Sequence, residues 1–217
     1  MLDLTFYLKW VPFLLGGLRY TLAVAAAAAV MGMGLGLVLA LIRLADLPLL
    51  SRGVSLFIEY VRGVPALVVL FFFYYGLPQA GIRLDAFWAA AIGLAVNESV
   101  FAAEIFRAGI QSLPRGQLDA GRSIGLSRRD LYRFVVLPQA IAWMIPPLTN
   151  DLIGLIKNSS LASTITVEEL SLRASAVVSA TFRPFEVYCA IATIYVALTL
   201  TTSALSHQLE RRMRFTT

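Results

Sequence analysis

Reactive and charged residues are scarce in this sequence of 217 residues. Cys189 is the only cysteine, which excludes an internal disulfide and a thiolate metal cluster. There is one histidine, and the only two lysines are Lys9 and Lys157, neither of which follows a glycine. A P-loop needs a glycine-rich turn that ends in Gly-Lys followed by Ser or Thr. The sequence therefore has no ATP-hydrolysing site of that kind.

The chain is poor in charged residues and rich in apolar residues. Charged residues make up 14% and hydrophobic residues 59% of the chain, and the mean hydropathy is +0.77, which is far from the balance of a soluble domain. A helix needs about 20 apolar residues to cross a bilayer. The sequence thus predicts an all-α integral membrane protein, one domain over residues 1–217. Its five predicted transmembrane helices lie at about 20–42, 56–78, 87–106, 137–165 and 187–205.

The positions of the basic residues predict the orientation. Most of the 18 lie in connections on one side, and basic residues are retained in the cytoplasm. We therefore expect the N-terminus outside and the C-terminus in the cytoplasm. The first span is too long for a cleavable signal peptide. The net charge of +5 comes from basic residues that lie where membrane topology places them, which argues against nucleic-acid binding. The cytoplasmic set is Arg43, Arg52, Arg62, Arg107, Arg115, Arg122, Arg128, Arg129, Arg133, Arg211, Arg212 and Arg214; the outer set is Lys9, Arg19, Arg83, Arg173 and Arg183, partly offset by Asp3, Asp85, Glu168, Glu169 and Glu186.

A polar connection at about 111–136 lies between the third and fourth spans, on the predicted cytoplasmic side. Residues 117–124 predict a short helix, and Gly125 permits a left-handed or sharply bent backbone. Ser127 is placed to cap a second short helix through residues 129–131. Two short helices joined at a glycine predict a rigid docking element. A basic loop that only touches anionic lipid is the alternative.

The spacing in this connection resembles the "EAA" loop of the membrane subunits of bacterial binding-protein-dependent ABC importers. The family pattern is Glu-Ala-Ala, three residues, Gly, nine residues, Ile-x-Leu-Pro. In this sequence Asp119, Gly121 and Val135 stand for Glu, Ala and Ile, and Gly125 and Pro138 match. The resemblance implies that the loop inserts into a groove on a separate ATPase. The residues implied in this coupling are Asp119, Ala120, Gly121, Gly125, Leu126 and Ser127.

Further blocks resemble the permease subunits of polar amino acid importers, the histidine, glutamine and arginine group. These blocks lie in order at 15–22, 60–78, 103–110, 146–150 and 157–161. The resemblance implies a type I ABC importer permease fold. It also implies two ATPase subunits that bind ATP and Mg²⁺, a second identical or related permease, and an extracytoplasmic solute-binding protein that delivers the amino acid. This chain itself would need no cofactor and would catalyse no reaction.

Polar groups at membrane depth are the candidate substrate ligands, because ionisable side chains there are costly unless paired or facing water. Glu98 lies near the middle of the third span and suits an ammonium or guanidinium group. Pro146 and Pro147 are expected to interrupt the fourth span and free backbone groups to line a cavity. Asp151 follows this interruption and would add a second carboxylate. The candidate substrate-binding set is Asn97, Glu98, Asp151, Lys157, Asn158, Ser159 and Ser160.

Several alternatives stay open at this stage. Glu98 could instead pair with Lys157, or be protonated and hydrogen-bonded to a neighbouring helix. Lys157 could pair with Asp151 or extend to the outer interface. Asp151 and Asn158 replace the family's Gln and Asp, which weakens any transfer of substrate preference.

Two other functions also remain open. The chain could be a stand-alone proton-coupled amino acid carrier with Glu98 or Asp151 as the protonation site. It could instead be a structural scaffold with no substrate. Glu104 and Arg107 are three residues apart on one helix, so we expect a local pair with a role in a cytoplasmic gate or subunit contact.

Overall fold

The longest helix, α1, runs from Leu4 to Leu44, and most of its buried residues are alanine or glycine. A computed structural model describes residues 4–45 and 47–214, and every regular element within them is helical. Asp3, counted above for orientation, lies outside the described residues. The other α-helices are α2 (Pro48–Arg62), α3 (Ala66–Phe71), α4 (Ala86–Gln111), α5 (Arg115–Ser123), α6 (Arg128–Asp130), α7 (Leu137–Asn158), α8 (Leu170–Thr181) and α9 (Pro184–Arg214). Two π-helices, Phe72–Gly76 and Leu131–Val136, and two 3₁₀-helices, Leu77–Ala80 and Ser159–Ile165, extend α3, α6 and α7.

Helices α1 and α4 form the most extensive helix pair among the described residues. They run parallel, since Gly32 packs on Glu98, Gly36 on Ala102, and Arg43 reaches Glu104. A Cβ added at Gly32 would lie 2.8 Å from Cβ and Cγ of Glu98. The absence of side chains at these positions lets the helix backbones approach closely, as in other membrane helix pairs. Gly34 faces open space, so it contributes nothing to this contact.

Within residues 4–45 and 47–214, four helical segments are long and apolar enough to cross a membrane: Leu4–Leu44, Ala86–Gln111, Arg128–Ile165 and Pro184–Gln208. A fifth exists only if α2 and the segment Ala66–Ala80 are counted together, and these two are bent by 102°. The predicted span 56–78 falls across this bend. Gly63 ends α2, and Pro65 cannot donate a backbone hydrogen bond, which explains why the helix does not continue.

Helix α2 has two different faces. Ile58 and Val61 are buried against Leu39 of α1 and against Val100 and Ala103 of α4. The opposite face exposes the apolar side chains of Leu49, Leu56 and Tyr60. Amphipathic helices of this kind lie in the plane of a membrane interface. Helix α2 packs on the bundle, and Ala66–Ala80 forms the rest of the second hydrophobic stretch.

The interruption expected at Pro146 and Pro147 is wrong. Both prolines lie inside α7, which continues from Leu137 to Asn158. Proline removes one backbone donor, but its fixed φ is compatible with helix, and membrane helices tolerate proline when neighbouring groups compensate. The irregular turns lie instead at the two ends of α7, in the π-helix before it and the 3₁₀-helix after it.

Candidate functional site

Glu98 is enclosed between helices at the middle of the bundle. Glu98 is 4% exposed, and the close approach of α1 at Gly32 covers the Cβ and Cγ atoms of Glu98. The Oε1 atom of Glu98 is buried and has no hydrogen-bond partner among the described residues. A buried polar atom without a partner is costly, and this cost marks Glu98 as a functional candidate.

Asp151 of α7 provides a second carboxyl group beside the first. The side chains of Glu98 and Asp151 interact directly across the α4–α7 contact. The Oδ2 atom of Asp151 is also buried, and it too lacks a hydrogen-bond partner among the described residues. Two neighbouring carboxyl groups with unused acceptor oxygens form a site whose chemistry fits a cation with several N–H donors.

The other predicted substrate ligands are not all gathered at these carboxyl groups. Asn97 is half-buried beside Glu98, whereas Lys157 and Asn158 are exposed at the C-terminal end of α7. In residues 4–45 and 47–214, Lys157 forms no ion pair with Glu98 or Asp151, so the internal pairing considered from the sequence is absent there. The hydroxyls of Ser159 and Ser160 donate to the backbone oxygens of Ile156 and Lys157, both at 2.7 Å.

The connection between α4 and α7 has the two short helices that the sequence predicts, α5 and α6. Helix α5 ends in a Schellman motif. The N–H of Leu126 donates to the carbonyl of Gly121 at 3.1 Å, and the N–H of Gly125 donates to that of Arg122 at 3.0 Å. Gly125 has φ +83°, in the left-handed region that favours glycine.

The candidate coupling residues divide into a structural set and an exposed set. Gly121 is buried, and a Cβ there would lie 2.5 Å from Cδ1 of Leu131, so α5 and the second π-helix are in tight contact. Ser127 caps α6, since its Oγ accepts the N–H of Asp130 at 3.2 Å. On the exposed side, Asp119 pairs with Arg122 at 3.3 Å, and Ala120 is open to solvent.

Ile124 is an exposed apolar residue in the connection that was not among the predicted coupling residues. Its side chain is 79% exposed at the tip of α5, beside the Gly125 turn. An isoleucine held on a rigid turn and surrounded by polar residues has the character of an interface anchor. The signal in the sequence was an apolar residue directly before the motif glycine.

The Glu104–Arg107 pair predicted from the sequence is present, and it has a third member. Oε2 of Glu104 accepts from Nε and Nη2 of Arg107 at 3.1 and 2.7 Å, while Oε1 is paired with Arg43 of α1. Arg107 also donates from Nη1 to Oε1 of Gln111 at 2.7 Å. This chain of contacts ties the ends of α1 and α4 to the first residue of the connection.

Glu169 lies at the opposite end of the bundle. The sequence predicts only that it is one of the acidic residues on the outer side. It is fully buried (0% exposed) and caps α8 by accepting the N–H of Leu172 at 2.9 Å. Its Oε2 accepts from Tyr195 at 3.2 Å and from Thr21 at 3.5 Å. Burial raises the pKa of Glu169, and these hydrogen bonds oppose the shift. The carboxyl group thereby links α8 to α1 and α9.

Comparison with known proteins identifies the family to which this architecture belongs. Residues 32–215 match the family described as binding-protein-dependent transport system inner membrane component. A probable amino-acid permease protein, YxeN of Bacillus subtilis, is 40% identical over 98% of this chain and 96% of its own length. A probable glutamine ABC transporter permease protein, GlnM of the same organism, is 41% identical over 72% of this chain and 73% of its own.

A solved structure gives the same result at the level of the fold. The crystal structure of an amino acid ABC transporter with histidines contains a chain that is 39% identical to this one. The two superpose with a TM-score of 0.90 over 98% of this chain and 99% of the other. The chain therefore belongs to the family of binding-protein-dependent transport system inner membrane components, as a permease subunit of the amino acid ABC transporter type.

Proposed function

We propose that this chain is the membrane subunit of an ATP-driven importer that moves polar, cationic amino acids into the cytoplasm. One observation carries the proposal: Glu98 and Asp151 lie together inside the bundle, each with a buried oxygen that has no partner in the described chain. An ammonium or guanidinium group supplies both the charge and the donors that these oxygens lack. The relatives named for amino acids and glutamine support amino acids as the substrate class, and the cationic preference rests on the two carboxyl groups alone.

The substrate lies, in this proposal, along the line from Glu98 to the C-terminal end of α7. Asn97, Glu98 and Asp151 hold the cationic end. The carboxylate end is directed toward Lys157 and the segment 158–160, which lies where α7 gives way to a 3₁₀-helix.

The connection 111–136 is proposed to lie in the cytoplasm and to bind an ATPase subunit that also holds ATP and Mg²⁺. The arginine distribution supports this orientation, with the N-terminus outside and the C-terminus inside. The exposed tip of α5, with Asp119, Ala120 and Ile124, is the proposed contact. The Gly121–Leu131 packing and the Gly125 turn give the tip a fixed shape. Force applied to α5 therefore passes through the second π-helix into α7, which carries Asp151.

A second permease copy or a related chain completes the pathway, and a solute-binding protein delivers the amino acid from outside. Four or five membrane helices in the described residues are few for enclosing an alternating-access pathway, which supports the first of these partners. Glu98 is almost inaccessible here, so the site is occluded, and loading requires movement at the α4–α7 or α1–α4 contact. Binding and hydrolysis of ATP by the partner subunits would alternate the side to which the site opens.

The test compares Glu98→Gln and Asp151→Asn with Glu59→Gln, which alters an exposed glutamate on α2. Uptake of arginine, lysine and glutamine is measured in vesicles that contain the complete transporter. We expect each site variant to lose about tenfold or more of arginine and lysine uptake while losing less glutamine uptake, since a charged hydrogen-bonded contact is removed. Equal losses for all three amino acids, or unchanged uptake, would remove the two carboxyl groups from the substrate site.

A further inference from the structure

The last part of the connection carries three arginines close together in the sequence. Arg128, Arg129 and Arg133 follow the Ser127 cap, and within residues 4–45 and 47–214 none of them forms an ion pair. Arg128 lies over the ring of Tyr132, with Cζ 6.0 Å from the ring centroid, and Arg133 lies over Phe134 at 5.4 Å. The nearest carboxylate in the segment, Asp130, accepts a hydrogen bond from the hydroxyl of Ser127 at 2.6 Å.

Three other arginines near this end of the bundle each have an acidic partner. Arg43 and Arg107 share Glu104, and Arg122 pairs with Asp119. The three unpaired arginines therefore form a local excess of positive charge, which we call the basic rim. An excess of this kind attracts an anion from its surroundings.

The basic rim borders two adjoining clefts. Arg128, Tyr132 and Leu137 line both of them. The larger has a volume of about 670 Å³ and lies between the end of α1 and the connection, where Leu41 and Leu44 form an apolar wall. The smaller, of about 530 Å³, is bordered by Arg129 and Arg133. Volumes of this size suit a ligand rather than a single ion.

The two sides of the clefts differ in their chemistry. Leu41, Leu44 and Leu137 belong to α1 and α7, two of the helices long and apolar enough to cross a membrane. The arginines begin the span that continues into α7, within about two turns of Leu137. A ligand that fits both sides has an anionic head and an apolar tail. A soluble subunit reaches the exposed rim but not an apolar wall at the membrane surface.

We propose that the basic rim and the apolar wall of Leu41, Leu44 and Leu137 form a binding site for an anionic phospholipid. The phosphate lies against Arg128 and Arg133, and the acyl chains follow the leucines into the bilayer. Basic pockets between membrane helices at the cytoplasmic face are known to hold anionic head groups. The site is separate from the proposed substrate carboxylates and from the exposed tip of α5. The second half of the connection thus contacts lipid, while the first half contacts the ATPase.

The experiment measures lipid retention by the purified transporter complex with native mass spectrometry. The complex is exchanged into mixed micelles that contain phosphatidylglycerol or phosphatidylcholine, each with and without inorganic phosphate. The test variant is Arg128→Gln/Arg133→Gln. The matched control is Arg52→Gln/Arg211→Gln, which removes the same charge from two exposed positions outside the clefts. Co-purification of the ATPase is recorded for every variant.

We expect the unaltered complex to retain phosphatidylglycerol in preference to phosphatidylcholine. The test variant should bind it about thirtyfold more weakly, since each of the two basic residues contributes about fivefold near a membrane surface. The control variant should retain it normally, and inorganic phosphate should not displace it.

Three results would overturn the proposal. Equal retention of the two lipids would show that the rim does not select charge. Displacement by inorganic phosphate would identify a simple anion site. Loss of the ATPase from the test variant, with lipid retention unchanged, would assign the arginines to the subunit interface. The lipid measurement does not depend on which amino acid is transported, so its failure leaves the proposed function untouched.

Discussion

The α1–α4 contact and the connection 111–136 are built in opposite ways. At the contact, glycines bring two helices so close that Glu98 is 4% exposed. In the connection, a glycine turn holds Ile124 so far out that it is 79% exposed. The first region encloses a charged group in an apolar interior, and the second presents an apolar group to water. The enclosed charge is costly in an isolated chain, whereas a single exposed apolar residue is tolerated.

This contrast indicates where the chain depends on other molecules. In the proposed function, the enclosed carboxyl groups bind a cationic ligand and the exposed isoleucine contacts the ATPase. Substitutions at the contact should therefore act first on the stability of the chain. Substitutions in the connection should act on assembly and leave the bundle intact.

The largest effect is expected for Gly32→Val. The new side chain would clash with Glu98 across α1 and α4, and overpacking of this kind costs about 3 kcal/mol. Thermal and denaturant unfolding in detergent measure the loss. Gly34→Val is the matched control on the same helix, because nothing lies within 4 Å of that position. The comparison fails if the two variants unfold alike.

A smaller effect is expected for Gly125→Val, which forces a β-branched residue into the left-handed region at a cost of roughly 1–2 kcal/mol. The turn should distort, and affinity for the ATPase should fall about tenfold, with the unfolding midpoint of the bundle nearly unchanged. Pull-down of the ATPase with the purified permease measures this. Gly116→Ala alters a glycine of α5 that faces open space, and this variant should bind the ATPase normally. Loss of bundle stability in Gly125→Val would contradict the separation of the two regions.

Ile124→Asp tests the exposed tip without altering the turn. Removal of an apolar anchor should weaken ATPase binding about fivefold to tenfold, and the charge should be harmless to folding because the position is in solvent. Ile82→Asp, at an exposed position far from the connection, serves as the control. Unaltered ATPase affinity in Ile124→Asp would mean that the anchor lies elsewhere on α5.

The smallest effect concerns Glu169, whose pKa is raised by burial. A raised pKa means that the folded chain favours the protonated form. Its contribution to the unfolding free energy is therefore full below the ordinary value of 4.5 and is lost as pH rises through the raised value. Glu169→Gln should reduce the fall in stability over this window, because the carboxyl group that titrates is removed. Glu168→Gln, at the exposed neighbour, should keep the original slope; the same slope in Glu169→Gln would exclude this source of pH dependence.

Local signals in the sequence predicted the connection well. The helix before Gly125, the positive φ of Gly125 and the Ser127 cap depend on residues within a few positions of each other, so spacing alone was informative. The bend at residues 63–65 had equally local causes in Gly63 and Pro65, but apolar composition alone suggested one continuous span. The expected break at Pro146 and Pro147 was wrong because the helix around them persists.

Contacts between distant residues could not be predicted in the same way. Glu98 was identified as a candidate from its depth in an apolar span, but its enclosure by Gly32 depends on how α1 packs against α4. Glu169 was missed because its partners Thr21 and Tyr195 are 148 and 26 residues away. Arg43, the second partner of Glu104, is 61 residues away from it, so local spacing did not predict this contact either.

The most direct test of the account is uptake by vesicles that contain this chain with its companion subunits and solute-binding protein. We predict that arginine or lysine accumulates only when the ATPase subunits, ATP and Mg²⁺ are all present, and that Glu98→Gln reduces the accumulation about tenfold or more. Accumulation driven by a pH gradient in vesicles that contain this chain alone would contradict the account and identify a proton-coupled carrier.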